Sequence, residues 1–168
     1  MKRKILLSLA LFTLLSSCAQ TKYGASVSYS VENTVGFDFF LIKGENRFHL
    51  GFGYEFGKQK KKIVSERKAN YGLTKIEDGD YLWLIDLGYS RFVTENLSVN
   101  PELSFGKLTE FTNYQDNRFS DGGYSLINNT ESKIGFGVNV GYLVTSNFEP
   151  FIGFGTLKKM NFGIRYSF

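Results

Sequence analysis

The chain has 168 residues, of which 42% are hydrophobic and 17% aromatic, with 18 glycines and two prolines. Its formal net charge is +4, but Lys2, Arg3 and Lys4 contribute three of the 20 basic residues, and the other 17 face 16 acidic ones. A nearly neutral remainder gives no support for nucleic-acid binding. The single cysteine, Cys18, excludes an internal disulfide, and the length suits one domain.

The first 19 residues are organised as a secretory signal peptide. The basic start is followed by the apolar run Ile5–Leu15 and then by small residues up to Ala19. This run is too short to span a membrane as a helix. We therefore expect residues 1–19 to direct export and residues 20–168 to form the mature domain.

Two processing routes remain open for this segment. Ser17-Cys18-Ala19 is an A-x-A-like site that predicts cleavage before Gln20. The stretch ending at Cys18 (Leu15-Ser16-Ser17-Cys18) also resembles a lipobox, which would make Cys18 the lipid-bearing first residue of a lipoprotein.

Eight segments after the signal alternate between apolar and small or polar residues with a period of two, which predicts β-strands with one apolar face. Each has close to the roughly 9–11 residues that a tilted transmembrane strand requires, and an even number suits an antiparallel barrel. In chain order the predicted strands are Tyr23–Val31, Val35–Ile42, Arg47–Gly57, Tyr81–Ser90, Leu97–Gly106, Lys133–Leu143, Phe148–Thr156 and Met160–Phe168.

The alternating pattern indicates which face meets lipid. Phe, Tyr, Ile, Leu and Val form one set, and the other set is rich in glycine and serine. A soluble barrel keeps its apolar face inward, so we expect the apolar set to face lipid and the small and polar set to face a lumen. Five apolar residues break this rule and predict either a register shift or apolar plugs in the lumen: Phe40, Ile42, Leu82, Leu84 and Phe151.

The connections differ in length in a regular way. Those after the second, fourth and sixth strands are short, whereas those over 58–80 and 107–132 are long. Outer-membrane barrels have short turns on the periplasmic side and longer loops outside, so we expect both termini to be periplasmic. Pro101 and Pro150 cannot donate to a ladder, and we expect each near a strand start or at a bulge.

The last strand closes with a recognisable pattern. Asn161, Gly163, Tyr166 and Phe168 are spaced as in the C-terminal signal by which bacterial outer-membrane barrels are recognised for assembly, and the segment resembles that signal. A strand ending in exposed Phe is an aggregation risk in a soluble protein but not in a closed barrel in lipid.

Two turn segments are similar to each other, Val93–Leu97 and Val144–Phe148. Together with the terminal strand they resemble the small outer-membrane barrels of the OmpA/OmpX/OmpW type. The resemblance implies an all-β, eight-stranded antiparallel transmembrane up-and-down barrel in a bacterial outer membrane. It also implies that the partners are outer-membrane lipid, lipopolysaccharide and the barrel-assembly machinery, and we expect a monomer.

Charged side chains on the inward face should pair across the lumen, because an isolated buried charge is unfavourable. Arg165 has a fork that can bind carboxylates on more than one strand. We favour a structural plug of ion pairs, because eight strands leave room for little except side chains; a narrow ion path or gate is the alternative. The predicted lumen network comprises Asp38, Glu55, Asp86, Glu102, Glu149 and Arg165, with Arg47, Lys133 and His49 also inward.

The two long connections carry different side chains. The first contains Lys60, Lys61 and Lys62, which predict either contact with lipopolysaccharide phosphates or a solvated loop of mixed charge. The second contains aromatic residues among polar ones, which suits an adhesive surface; these aromatics include Phe111 and Tyr114.

The functional prediction is a non-enzymatic outer-membrane protein with a structural or surface-interaction role through its two long loops. A narrow channel or passive transporter is the alternative, followed by a lipid A-modifying enzyme, an activity known among small outer-membrane barrels. His49 is the only histidine and lies six residues before Glu55, without a serine motif beside it. We therefore expect no catalysis, no metal site and no cofactor.

Overall fold

The computed structural model describes residues 21–57, 61–64 and 74–168. The predicted signal peptide, Cys18 and Lys60 lie outside the described residues. The described residues contain no helix that is long and apolar enough to cross a membrane. The strands are β1 Lys22–Ser30, β2 Thr34–Lys43, β3 Asn46–Glu55, β4 Lys62–Val64, β5 Thr74–Phe92, β6 Leu97–Gln115, β7 Gly123–Tyr142, β8 Phe148–Gly155 and β9 Lys159–Ser167.

Eight of these strands form a closed antiparallel ring. Each pairs with the next along the chain, apart from β4, and β9 pairs with β1 to close the ring. The short β4 lies outside the ring and pairs in parallel with β7, Lys62 opposite Tyr124. The prediction of an eight-stranded antiparallel transmembrane up-and-down barrel is confirmed.

Burial alternates as predicted along the parts of the ring strands that form the barrel wall. In β3, Phe48, Leu50 and Phe52 are exposed on the outer face, whereas His49 and Gly51 are buried inside. Because apolar side chains stay exposed while polar ones are buried, the barrel has the inverted polarity that lipid imposes. The inward glycines are needed for close packing: a Cβ at Gly88 would lie 1.7 Å from Cε1 of His49.

The two ends of the barrel differ in height. The start of β1, the end of β9 and the turns over 44–45, 93–96 and 143–147 lie at one end, called here the termini end. At the opposite end, β5, β6 and β7 continue beyond their neighbours, and this three-stranded extension is called here the hairpin end. The predicted loop over 107–132 is therefore wrong, because β6 runs to Gln115 and β7 begins at Gly123.

The physical reason for this error lies in the extension itself. A register shift between Glu110 and Phe111 changes which face each residue occupies, so the period-two pattern is interrupted. Both faces of the extension also carry polar residues, so no apolar face marks it as a strand. The first predicted loop, 58–80, likewise contains β4 and the first seven residues of β5.

The two similar turns at the termini end have the same hydrogen bonds. The hydroxyl of Thr94 accepts from the backbone N–H of Leu97 at 3.0 Å, and that of Thr145 accepts from the N–H of Phe148 at 3.1 Å. Each turn is then tied to the next strand end, by Leu143 N–H to Asn96 O at 2.7 Å and Ser167 N–H to Asn147 O at 2.9 Å. The sequence similarity thus corresponds to a repeated structure.

Of the five apolar residues predicted to break the pattern, four are buried in the lumen: Phe40, Leu82, Leu84 and Phe151. The β1–β2 and β2–β3 ladders run without a register shift, so Phe40 is an apolar plug rather than a slipped residue. Pro150 is the third residue of β8. Pro101 is the fifth residue of β6, at a gap in the β5–β6 pairing between Gly88–Glu102 and Arg91–Val99.

Candidate functional site

The lumen charges form two clusters. The first lies towards the termini end and is centred on Glu149, which is almost fully buried. Arg47 donates to both of its carboxylate oxygens, at 3.0 and 2.5 Å, and Arg165 donates to Oε1 at 2.6 Å. The hydroxyl of Ser98 donates to the same oxygen at 2.7 Å. One carboxylate is thus shared by two guanidinium groups from different strands, and Glu149 is the carboxylate to which Arg165 donates.

Aromatic rings cover the two guanidinium groups. The Cζ atom of Arg47 lies 4.8 Å from the ring centre of Phe40 and 5.1 Å from that of Phe92. The Cζ atom of Arg165 lies 4.0 Å from the ring centre of Phe151. These are cation–π distances. The inward Phe40 and Phe151 therefore stabilise buried charge as well as filling the lumen.

The second cluster lies deeper and has a lysine at its centre. Lys158 Nζ is 2.7 Å from Oδ2 of Asp86 and 2.7 Å from Oε1 of Glu102. The hydroxyl of Ser104 donates to Asp86 at 2.6 Å. His49 Nε2 lies 3.5 Å from Oε2 of Glu102, so the only histidine contacts a carboxylate already bound to lysine.

The alternating sequence pattern did not identify Lys158, because this residue lies in the turn between β8 and β9. The turn is held against β7 by two bonds to Phe136, from Thr156 N–H to its carbonyl at 2.9 Å and from its N–H to Thr156 Oγ1 at 3.0 Å. The Lys158 side chain then points into the lumen and is almost fully buried. The signal that could have identified it is the excess of inward carboxylates over inward basic residues.

Little empty space remains around the second cluster. A cavity beside Lys158, Glu102 and Asn161 has a volume of about 10 Å³. A water molecule needs roughly 10–15 Å³ of such volume, so this layer of the lumen is filled by side chains. A larger cavity of about 480 Å³ opens at the termini end, below the Arg47 cluster.

At the hairpin end the three-stranded extension has a well-defined tip. Tyr114 and Tyr124 stack with ring centres 5.4 Å apart, and Phe119 lies 5.4 Å from Tyr124. The turn between β6 and β7 closes through Asp116 N–H to Gly122 O at 3.0 Å. The extension is therefore a structured surface rather than an irregular loop.

One face of the extension continues the inner wall of the barrel and is acidic. Asp80 lies directly opposite Glu110 across the β5–β6 ladder, and Asp78 lies two residues further out. All three are exposed and border a depression of about 570 Å³ with Lys75 and Asn128. Hydrogen bonds from Lys75 and then Thr112 lower the pKa of Asp78 below its ordinary value, so Asp78 keeps its charge in mild acid.

Solved structures of other proteins have a fold similar to that of this chain. No family model matches the chain, and no curated protein matches it. Among solved structures, Ail, the attachment invasion locus protein of Yersinia pestis, is 12% identical with a TM-score of 0.52, covering 88% of this chain and 95% of that chain. A major outer membrane protein from Thermus thermophilus is 10% identical with a TM-score of 0.51, covering 89% and 100%. The chain has the fold of the small outer-membrane β-barrels.

A third structure of this outer-membrane barrel fold supports the comparison. The backbone structure of Ail in a phospholipid bilayer nanodisc has a TM-score of 0.53 at 12% identity and covers 89% of this chain and all of that chain. At such identities the likeness concerns the fold alone.

The predicted assembly-signal residues occupy the closing strand of the barrel. Tyr166 and Phe168 are exposed on the outer face, and Asn161 is buried towards the lumen. The backbone N–H of Phe168 donates to Tyr23 O at 2.8 Å, so the pairing with β1 extends to the last residue.

Other predicted site residues are dispersed. Asp38 is buried in the lumen wall and accepts a hydrogen bond from Ser26. Glu55 lies half-buried at the outer end of β3, where no ion pair involves it among the described residues. Lys133, also predicted inward, pairs with Glu131 at 2.5 Å at the surface. Within the described part of the chain, no group of His, Cys, Asp or Glu is arranged to hold a metal ion.

The two described lysines of the first long connection lie by the tip of the extension. Lys61 Nζ donates to the backbone carbonyl of Asp121, and Lys62 is exposed at the start of β4. Residues 107–115 of β6 separate this tip from the lipid-facing Phe105, a strand length of about 30 Å at roughly 3.3 Å per residue.

Proposed function

We propose that this chain is a bacterial outer-membrane β-barrel that binds a partner through its hairpin end, while its lumen serves as a structural core. The hairpin end faces the exterior, and both termini face the periplasm. The single observation that carries the proposal is the ordered three-stranded extension, which rises well beyond the lipid-facing side chains and presents charged groups to solvent.

The packing of the lumen supports a structural role for its charges. The inward carboxylates of the two clusters are matched by Arg47, Arg165 and Lys158 at ion-pair distances, and the space beside Lys158 is no larger than a single water molecule. Permeation would require several of these buried pairs to separate, which is unfavourable in a low-dielectric core. Planar-bilayer recordings of the wild-type protein should accordingly show no discrete current steps.

The proposed role is non-enzymatic. His49 is buried, contacts Glu102 and lies among groups already paired with one another. A general base must reach a substrate proton within hydrogen-bond distance, directly or through one water. A packed lumen gives a lipid substrate no path to His49.

The chemistry of the extension favours a cationic, extended partner. Its inner face carries Asp78, Asp80 and Glu110, with Lys75 as the neighbouring cation paired to Asp78 at 2.6 Å. Exposed charges of one sign raise the local concentration of oppositely charged ligands and set the partner's charge more than the strength of binding. A basic polypeptide segment fits this face.

The partners expected from the sequence are part of the same proposal. Lys61 and Lys62 lie near the tip, so their contact with lipopolysaccharide would involve groups well above the lipid surface. Assembly would proceed through recognition of the terminal strand that carries Phe168, and the barrel would function as a monomer.

Binding can be measured on the protein reconstituted in zwitterionic lipid nanodiscs, so that the lipid does not attract the probe. We expect an alternating Lys/Thr decapeptide to bind, and the affinity to fall at least several-fold in Asp78→Asn/Asp80→Asn and at high salt. Glu45→Gln/Glu95→Gln, which removes the same charge from the other end, should leave the affinity unchanged. Equal binding of a Glu/Thr decapeptide would contradict the proposal.

A further inference from the structure

One edge of β7 has no neighbouring strand over part of its length. Its ladder with β8 reaches Gly137, and the N–H and carbonyl groups of Phe136 then both bind Thr156. Further out, β4 pairs with β7 only over 124–126. On this edge, residues 127–135 therefore lie beside no other strand of the described part of the chain.

Three residues of this edge direct their backbone groups away from β6. The β6–β7 register is regular up to Asn129, so every second residue from Phe136 outwards, namely Ile134, Ser132 and Thr130, faces the open edge. The N–H of Thr130 donates to the side-chain oxygen of its neighbour Asn129 at 2.8 Å. The N–H groups of Ser132 and Ile134 remain as donors, and the space beside them is called here the β7 notch.

The β7 notch lies at the boundary of the lipid-facing wall nearer to the hairpin end. From Leu97 to Lys107, β6 advances ten residues, which is about 25 Å of height at a rise of about 3.3 Å and a tilt of roughly 40°, the height of an apolar band. Lys107 lies opposite Ser132 on one side and Trp83 on the other, and an indole ring is typical of the boundary between lipid and water. The Ile134 side chain just below is 64% exposed, as contact with lipid requires.

The charge beside the β7 notch is positive. Lys107 is exposed on the outer face and forms no ion pair with any described residue. Glu131 lies on the inner face and is paired with Lys133 at 2.5 Å, and Glu110 also faces inward. Lys159 is a second exposed cation, at the start of β9 beside the turn that limits the notch. The outer-face residues around Lys107 are all uncharged: Trp83, Phe105, Thr109, Thr130, Ser132 and Ile134.

We propose that the β7 notch binds the phosphate of an outer-leaflet lipid between the Lys107 ammonium group and the N–H groups of Ser132 and Ile134. The site rests on the proposed outer-membrane location and assigns residues to the lipid contact expected there. Backbone donors at the edge of the hydrocarbon need an acceptor, and the oxygens of one phosphate can serve several donors at once. Neighbouring strands lie about 4.8 Å apart, which the four-carbon stem of lysine spans.

A lipid head group suits the β7 notch better than an added polypeptide strand does. A strand paired with Ile134 would place its own polar backbone at the level of lipid-facing side chains, where its outer edge has no partner. The stretch is also short, because Thr156 limits it below and Asn129 already occupies the N–H of Thr130. Two donors suffice for a head group, whereas strand addition gains affinity from a row of main-chain bonds.

The direct test is an NMR titration of the mature barrel in dodecyl maltoside micelles, which contain no phosphate. Dodecyl phosphate should shift the amide signals of Ser132 and Ile134 saturably. Dodecanol lacks the phosphate and inorganic phosphate lacks the chain, so neither should shift these signals at the same concentration. Unchanged signals with dodecyl phosphate, or equal shifts with dodecanol, would overturn the proposal. An equal response to inorganic phosphate would overturn the assignment to a lipid.

Two exposed lysines form a matched pair for locating the site. Lys107→Gln removes the cation beside the β7 notch, and Lys43→Gln removes one at the termini end. A unit charge at about 4 Å changes affinity by about five-fold in water and by more where the dielectric constant is lower. Lys107→Gln should therefore weaken dodecyl phosphate binding by about five-fold or more, and Lys43→Gln should leave it unchanged. The same affinity in both variants would show that the phosphate binds elsewhere.

The same samples separate the lipid site from the peptide-binding face. The Lys/Thr decapeptide should leave the Ser132 and Ile134 signals in place, and dodecyl phosphate should bind Asp78→Asn/Asp80→Asn as it binds the wild type. Shifts of these signals by the decapeptide instead of dodecyl phosphate would assign the edge to a polypeptide and refute the lipid site. Absence of decapeptide binding, with dodecyl phosphate binding intact, would contradict the peptide proposal alone.

Discussion

Substitution of Lys158 by methionine tests whether the lumen charges stabilise the barrel. Methionine keeps the length and apolar stem of the side chain but removes the cation that lies 2.7 Å from both Asp86 and Glu102. Two carboxylates would then remain buried without their counter-ion. Removing one partner of a buried ion pair destabilises a protein by about 3–5 kcal/mol, and we expect a loss in this range because both carboxylates depend on the same lysine.

The assay is urea unfolding in lipid vesicles, followed by the fluorescence of Trp83, the only tryptophan of the chain. Lys159→Met, at the adjacent exposed residue, is the matched control and should stay within about 0.5 kcal/mol of the wild type. Combining Lys158→Met with Asp86→Asn and Glu102→Gln should recover much of the loss, because neutral amides do not need a counter-ion.

Two results would refute the reasoning about Lys158. The first is a loss below about 1 kcal/mol in Lys158→Met, which would mean that water or a neighbouring cation reaches the carboxylates. The second is a triple variant no more stable than Lys158→Met, which would mean that the loss comes from packing rather than from unpaired charge.

Three further predictions concern other parts of the barrel. Gly88→Ala should destabilise the barrel by about 1–3 kcal/mol in the same urea assay, because the added methyl group overlaps the His49 ring. Gly137→Ala should cost less, because the nearest atom to its added Cβ, the carbonyl oxygen of Phe154, would lie 3.3 Å away. Phe168→Ser should lower the yield of folded, heat-modifiable barrel in cells without a matching loss of stability in vesicles; equal losses in both would contradict a role in assembly. A cysteine placed at Asp121 should react with a membrane-impermeant maleimide on intact cells, and one at Ser146 should react only after permeabilisation; the reverse pattern would invert the proposed orientation.

The transmembrane part of the fold was predictable because lipid imposes a simple rule on it. From Arg47 to Gly53, the residues of β3 alternate between lipid and a narrow lumen, so Phe48, Leu50 and Phe52 are apolar while their neighbours are small or polar. The same rule fixed the terminal strand to within one residue of β9.

The extension was not predictable because the rule stops where lipid ends. Above Phe105, neither face of β6 needs to be apolar, and the register shift after Glu110 moves Phe111 out of the alternating pattern. Ladder hydrogen bonds hold these residues in strands, and backbone bonds leave little trace in side-chain chemistry. Loop length estimated from the apolar pattern therefore exceeded the true turn, which lies between Gln115 and Gly123.

The sequence predicted that charged side chains pair in the lumen, but it did not identify every residue of the clusters. Inward carboxylates on the strands implied cations to match them, and Arg47 and Arg165 were found by the same alternation. Lys158 was not, since a turn residue has no fixed face and its direction depends on how the turn packs on β7. Glu55 was assigned by alternation alone, although the last residue of β3 lies at the outer end of the barrel.

The positions of the two charge clusters are explained by the ring ladder that has the fewest paired residues. Among the ring ladders of the described residues, that between β7 and β8 is the shortest, joining Gly137–Gly141 to Phe151–Gly155. Glu149, on β8, is bonded to Arg47 on β3 and Ser98 on β6, and Lys158, just after β8, is bonded to Glu102 on β6. These side chains connect β8 and the turn after it to β3, across the barrel, and to β6, beyond β7, where backbone pairing is least extensive. The ion pairs of the lumen thus link strands that do not pair through their backbones. Their removal should weaken the β7–β8 pairing before any other part of the barrel.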